Sequence, residues 1–203
     1  MYGGLLYLFF LIMLDKAIKF LQERIITDQF DGEIPEPVVR GAILNEKGEP
    51  QLGAGTVGLM ITNIDEERIF KAQLQKQKRT DNDIEVANPE IKLNFYLLVA
   101  ANPGTTTVSY DAALKRLSEV ITYFQGTSYF DKTDYPSLDP IEYLIVELYS
   151  LSFEMQNQLW ASMGAKYMPS VVYKVRLLVI DRGFMGARQK AILEIDNQLN
   201  RIN

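Results

Sequence analysis

The sequence predicts an α+β or α/β fold, a single sheet with packed helices in one compact domain. Two stretches and the composition point there. Residues 91–99 alternate, with Ile91, Leu93, Phe95, Leu97 and Val99 on one face, and an amphipathic helix follows them. Residues 138–181 repeat that order as strand, helix, strand. The chain has 203 residues, 47% of them hydrophobic, which suffices for one ordinary core. Strand order is not readable from these patterns.

Taken in order, the chain opens on ten consecutive apolar residues, from Leu5 to Leu14. As a helix they measure about 15 Å, half of the roughly 30 Å that a spanning helix must cross. No Lys or Arg precedes them and no small-residue cleavage site follows, a poor fit to a secretory signal. Residues 1–12 therefore read as an apolar extension. Translation beginning at Met13, docking into a neighbouring subunit and a weak membrane contact through residues 5–14 account for it, in that order. A helix is expected over residues 13–27, with Leu14, Ile18, Leu21 and Ile25 on one face and Lys16, Lys19, Glu23 and Arg24 elsewhere. Asp31-Gly32 and the prolines of IPEP break it.

Residues 38–44 read as a short strand, 45–55 as turns, and 57–64 as a second strand in which Val57, Leu59 and Ile61 alternate. Apolar periodicity then disappears until residue 89. Basic Lys71, Lys76, Lys78 and Arg79 precede acidic Asp81, Asp83 and Glu85 there. A loop of that length is functional or mobile, and a solvated excursion is the first reading, a contact arm to a neighbour the second. After Asn102-Pro103-Gly104 a helix starts near Ser109. Its stripe is Leu114, Leu117, Val120, Ile121 and Phe124, Lys115 and Glu119 form an exposed pair, and Gly126 ends it.

Residues 141–148 form an apolar run of the kind seen when both faces of a strand are covered. Ser152 caps the next helix, on which Leu151, Met155, Leu159 and Met163 recur every four residues. Gly164 and Pro169 close it, and 171–180 is a β-branched final strand. Gly183 and Gly186 form a hinge. From Ala187 onward Ile192, Ile195, Leu199 and Ile202 make a helical stripe that folds back on the core or packs on a partner. The expected organisation is an extension 1–12, a domain 13–181 and a C-terminal helical tail 182–203.

Composition removes whole classes of chemistry. The net charge of −5 argues against nucleic-acid binding. Without cysteine there are no disulfides or thiolate metal sites. Without histidine, the commonest general base and transition-metal ligand is gone. No catalytic, cofactor-binding or metal residue is expected. Gly53, Gly55 and Gly58 match G-x-G-x-x-G, but that fingerprint needs a strand before it and a helix after it. Here turns precede and a strand follows, so the stretch reads as a loop or hairpin entry. Asp65, Glu66 and Glu67 place three carboxylates together, and adjacent positions point apart, so a solvated turn is preferred to a hard-cation site.

Trp160, the single tryptophan, reads first as core and second as an interface anchor, and Tyr149, Tyr167 and Tyr173 have the same two readings. Lys174 and Arg176 share one face with Val172, Leu178 and Ile180. Charges in such a strand mark an edge or a solvent-facing position, and this strand is the expected acceptor for a strand from another chain.

The same region carries a family likeness. Val146-Glu-Leu-Tyr149, Phe153-Glu154, Leu159-Trp160, Gly164, Tyr167, Pro169-Ser170, Tyr173-Lys-Val-Arg176 and Ile180-Asp181 follow one another in the order that resembles the tail-terminator, or cap, proteins of bacterial contractile injection systems. These are phage-tail-like particles. ITNIDEER (61–68), LNFYLLVA (93–100) and Phe124 to Gly126 fit the same pattern, so the likeness covers residues 13–181. No motif in it is a catalytic signature; specificity comes from ordered co-occurrence. The resemblance implies a structural protein, not an enzyme. It implies a homo-oligomeric ring, a hexamer, at the baseplate-distal end, touching tail tube and sheath subunits and ending their polymerisation. It also implies assembly in the cytoplasm, within a particle that is released or membrane-anchored. The rival readings are a cytosolic α/β enzyme or ligand-binding module, and a membrane-associated adaptor. The candidate interface residues are Trp160, Tyr167, Lys174, Arg176, Ile192, Ile195 and Leu199.

Overall fold

The computed structural model describes residues 3–32, 37–66, 77–80, 83–86, 91–179 and 189–190. The first helix, α1, runs unbroken over Gly3–Gln29. It joins the apolar run to the amphipathic helix expected from residue 13, because no Gly or Pro lies between Gly4 and its end. Met13, Ala17, Leu21 and Ile25, four residues apart, are fully buried, while Asp15, Lys19 and Glu23 face water. The helix closes where Gly32, at φ +71°, donates its N–H to the Ile26 carbonyl at 3.1 Å. Among the described residues no helix is long and apolar enough to cross a membrane.

Six strands form the central sheet: β1 (Val38–Arg40), β2 (Val57–Glu66), β5 (Ile91–Ala101), β6 (Tyr129–Asp131), β7 (Ile141–Tyr149) and β8 (Ser170–Val179). Their spatial order is β1-β2-β5-β8-β7-β6. The β1–β2 pair is parallel; β2–β5, β6–β7 and β7–β8 are antiparallel. With α1, α2 (Thr107–Gly126) and α3 (Phe153–Ser162), this sheet makes one compact α+β body, as the sequence predicts.

One sheet face is covered over most of its area, with Leu148 at the end of β7 left exposed. Phe95, Leu97 and Val99 on β5, Tyr173, Val175, Leu177 and Val179 on β8, and Phe130 on β6 are buried. Phe20 of α1 meets Phe130 edge-on at 5.5 Å, and Phe124 of α2 lies 4.9 Å from the Tyr173 ring. Helix α2 starts from a capping box in which the Ser109 N–H donates to Thr106 Oγ1 and the Thr106 N–H to Ser109 Oγ. It buries Ala113, Leu117, Val120, Tyr123 and Phe124; Leu114, expected in the stripe, is exposed. The Tyr123 hydroxyl ties α2 to α1 by donating to Asp28 Oδ2 at 2.8 Å. On β5, Asn94, Leu98 and Ala100 are buried along with the alternating set, so this strand is covered on both sides.

The polar stretch expected as a loop contains a hairpin. β3 (Gln77–Thr80) and β4 (Asp83–Val86) pair antiparallel, with Lys78 opposite Glu85. β9 (Gln189–Lys190) adds to β4, so these two residues are strand where the sequence suggested helix. Residues 68–91 and 180–203 form a separate compact unit, of which this three-stranded sheet is the described part.

Candidate functional site

The second face of the large sheet is covered at one end only. There Ile43, Leu52, Leu98, Ala100, Trp160, Met168 and Val172 form a buried cluster. Helix α3 supplies Trp160, which is 2% exposed, and α3 buries no other residue. The expected stripe Leu151, Met155, Leu159 and Met163 is not the buried side: Met155 is exposed and the others are half-buried. Two glycines let the backbone close over the cluster. A Cβ on Gly58 would lie 2.4 Å from Ile43 Cγ2. One on Gly48, at φ +74°, would lie 2.1 Å from the Gly164 carbonyl oxygen. The G-x-G-x-x-G stretch is thus a turn leading into β2, and its last glycine serves packing.

Beyond the cluster this face stays half-open. The β7–β8 register sets Tyr149, Glu147, Ile145 and Tyr143 beside Val172, Lys174, Arg176 and Leu178. Arg176 Nη2 donates to Glu147 Oε2 at 2.5 Å. The Tyr96 and Tyr149 rings meet edge-on at 5.1 Å, and those of Tyr129 and Tyr143 lie 6.1 Å apart. Burial, then neighbouring Tyr149 and Asp65, hold the Tyr96 hydroxyl above its ordinary pKa. The result is a surface of tyrosines and paired charges, suited to contact with another macromolecule. Among the described residues no three Asp, Glu, His or Cys side chains gather as a metal site requires. Asp65 and Glu66, expected in a turn, are the last residues of β2.

This geometry corrects the expected role of residues 171–180. β8 lies between β5 and β7, so it is an internal strand and cannot accept a strand from another chain. Lys174 and Arg176 alternate with buried residues because their face is open to water. An edge and an open face give the same sequence pattern.

The true edges are β1 and β6, three residues each. On β1, the outward Val38 carbonyl accepts from Gln22 Nε2 of α1 at 2.9 Å, and Arg40 Nε donates to Gln22 Oε1 at 3.2 Å. Past β6 the chain turns back, with Asp131 Oδ1 accepting from the Thr133 and Asp134 N–H groups at 2.8 and 2.9 Å.

Of the other expected interface residues, Trp160 is core. Tyr167, 59% exposed, stands edge-on to it at 5.9 Å. Ile192, Ile195 and Leu199 lie outside the described residues. Sequence reasoning missed Phe153, the first residue of α3, which is 91% exposed. An apolar residue just after a Ser cap looks the same in sequence whether it is buried or not. A shallow groove of about 210 Å³ lies between the end of β7, α3 and the start of β8, lined by Tyr149, Leu151 and Leu159 together with polar Ser150, Gln156 and Ser170.

Comparison with known proteins adds a family. The family model described as the Pvc16 N-terminal domain matches residues 18–194. Among solved structures, the fold is similar to the sheath/tube terminator, in its extended state, of PVC, an extracellular contractile injection system. That match has a TM-score of 0.56 at 13% identity and covers 95% of this chain and 64% of the terminator. The tube-terminating cap of the anti-feeding prophage matches with a TM-score of 0.45 at 10% identity, over 86% of this chain and 60% of that one. This chain therefore spans less than two thirds of the length of either. No curated protein matches the sequence.

Proposed function

The chain belongs to the Pvc16 N-terminal domain family, and from that membership we propose that it is a structural terminator of a contractile injection system. It sits as a ring, a hexamer, on the baseplate-distal end of tube and sheath and ends their growth. The observation that carries this reading is the family match over residues 18–194, on a fold shared with a sheath/tube terminator. The mechanism is geometric. A helical tail grows through head-to-tail contacts that continue until a bound ring offers no onward surface. Catalysis plays no part, in keeping with a chain that lacks His and Cys. Assembly takes place in the cytoplasm, and the ring travels with the finished particle.

The half-open sheet face is the surface for the tail subunits. Tyr96, Tyr143 and Tyr149 supply the amphipathic area that interfaces favour, and Lys174, Arg176 and Glu147 set orientation. Tyr167 lies on the rim of the same side. In cells that make the tail without this chain, sheath and tube lengths should become irregular, and the wild-type gene should restore them. A Lys174→Glu, Arg176→Glu double variant that folds normally should fail to restore them. Tails of uniform length without the chain would refute the terminator reading; full rescue by the double variant would refute the assignment of the face.

A further inference from the structure

The start of α1 differs in kind from the rest of that helix. Residues 5–14 hold only Leu, Ile, Met, Phe and Tyr, so at 3.6 residues per turn apolar positions occupy the whole circumference. From Met13 onward the helix is one-sided, with Asp15, Lys19 and Glu23 in water. Three contacts fix where α1 leaves the sheet. Gln22 donates to the Val38 carbonyl, level with Val57 and Ala101 at one end of the strands. Phe20 meets Phe130, which pairs with Leu144 in mid-strand. Lys16 Nζ donates to the carbonyl of Asp139, two residues before β7 opens. The Ala101 N–H donates to Pro169, so β8 starts at the Val57 end and finishes at the other, where Val179 pairs with Ile141. Followed toward its N-terminus, α1 therefore runs off the sheet at the end where β7 begins. No Gly or Pro after Gly4 bends it, and residues 3–12 prolong it by about 15 Å.

We propose that this overhanging segment enters one leaflet of a lipid bilayer and holds the chain reversibly on a membrane surface. Composition selects lipid over protein as the occupant. Protein contact surfaces are about 57–65% apolar and carry roughly one hydrogen bond per 100–200 Å². A run without a charged, amide or Ser/Thr side chain over ten positions lacks the groups such a surface pairs with, whereas hydrocarbon asks for none. An amphipathic helix would dock with one face and leave the other in water; this run has no face for water. It does not span the bilayer. The first N–H groups of α1 have no acceptor within the helix, and an oblique entry, about 5–10 Å deep, leaves them within reach of headgroup and water oxygens. Seven Leu, Ile and Phe side chains lie between Leu5 and Ile12, and the attachment they give is no stronger than that of a single acyl chain, about 10⁴ M⁻¹. Acidic Asp15 and Glu23 offset Lys16 and Lys19 beside the run, so the binding does not depend on headgroup charge.

The test uses the full chain with phosphatidylcholine vesicles and no tail proteins. The chain should float with the vesicles at millimolar lipid, equally well at low and at high salt. A Leu8→Asp, Leu11→Asp double variant should lose at least a hundredfold in partitioning, since each carboxylate is strongly disfavoured in hydrocarbon, and should keep the native Tm. The native chain has no cysteine, so Leu8→Cys carries a single polarity-sensitive fluorophore with the rest of the run in place. Its emission should shift to the blue when vesicles are added and be quenched by nitroxides on the acyl chains. No flotation, flotation abolished by salt, or flotation unchanged in the double variant would each overturn the proposal. So would a double variant that unfolds, or a fluorophore already shielded in buffer and indifferent to vesicles, because either result places the run inside protein. None of these readings involves tails, so the outcome is independent of the terminator reading.

Discussion

Replacing Trp160 by Ala tests how the second layer is held. The side chain is 2% exposed and packs among Ile43, Leu52, Leu98, Ala100, Met168 and Val172, with Tyr167 at its edge. Removing an indole from such a site costs about 3–5 kcal/mol, the lost transfer energy plus a cavity. The collapse available here is small, because the glycine-mediated contacts at Gly48 and Gly58 leave the backbone little room to close in. The loss is then a large share of a total stability of about 5–15 kcal/mol. In a chain of this size each kcal/mol lowers Tm by about 2–4 °C, so a drop of about 6–20 °C is expected. Trp160→Phe should cost far less, because the buried Nε1 has no hydrogen-bond partner to lose among the described residues. Urea titration followed by far-UV circular dichroism measures both. A Trp160→Ala variant within about 1 kcal/mol of wild type would show that Trp160 is not the anchor of α3.

Three further outcomes follow from features already described. Gln22→Leu leaves the Val38 carbonyl without its donor and should cost about 1–3 kcal/mol, read by chemical denaturation. Gly48→Ala places a Cβ in the left-handed region against the Gly164 carbonyl and should lower stability by about 1–3 kcal/mol, measured in the same way. Burial pushes the Tyr173 hydroxyl up to about 12 from its ordinary 10.0, so the unfolded chain gives up that proton first. Stability from this group is complete below pH 10 and declines as pH rises from 10 to 12. Tyr173→Phe should flatten that part of the pH–stability profile.

Much of the body was legible in the sequence, for definite reasons. β5 and α2 show clean periods of two and 3.6 because each has one strongly apolar face. Gly32, Gly126 and Gly164 stand at or just past helix ends, where terminators are expected. The hairpin of β3 and β4 was not legible: Gln77–Thr80 is wholly polar, and nothing in it alternates. The position of β8 was not legible either, since alternating charges fit an edge and an open face alike. Only the strand order separates the two. Core was the first reading of Trp160, but the stripe beside it that suggested this is half-buried or exposed, and Trp160 is buried by the loop and sheet residues of its cluster instead. The exposure of Phe153 was hidden, because an apolar residue just after a Ser cap reads alike whether or not anything covers it.

Both borders of the large sheet are three residues long, and the chain itself satisfies a carbonyl on each, the Gln22 amide that of Val38 and the Tyr135 N–H that of Asp131. Unpaired strand borders are where chains zip together into fibrils. A protein made ahead of its partners must wait in a crowded cell at rising concentration without seeding such growth. With both borders short and partly satisfied from within, this sheet offers little for such growth, and its larger adhesive surface is a face whose match must be built by side chains.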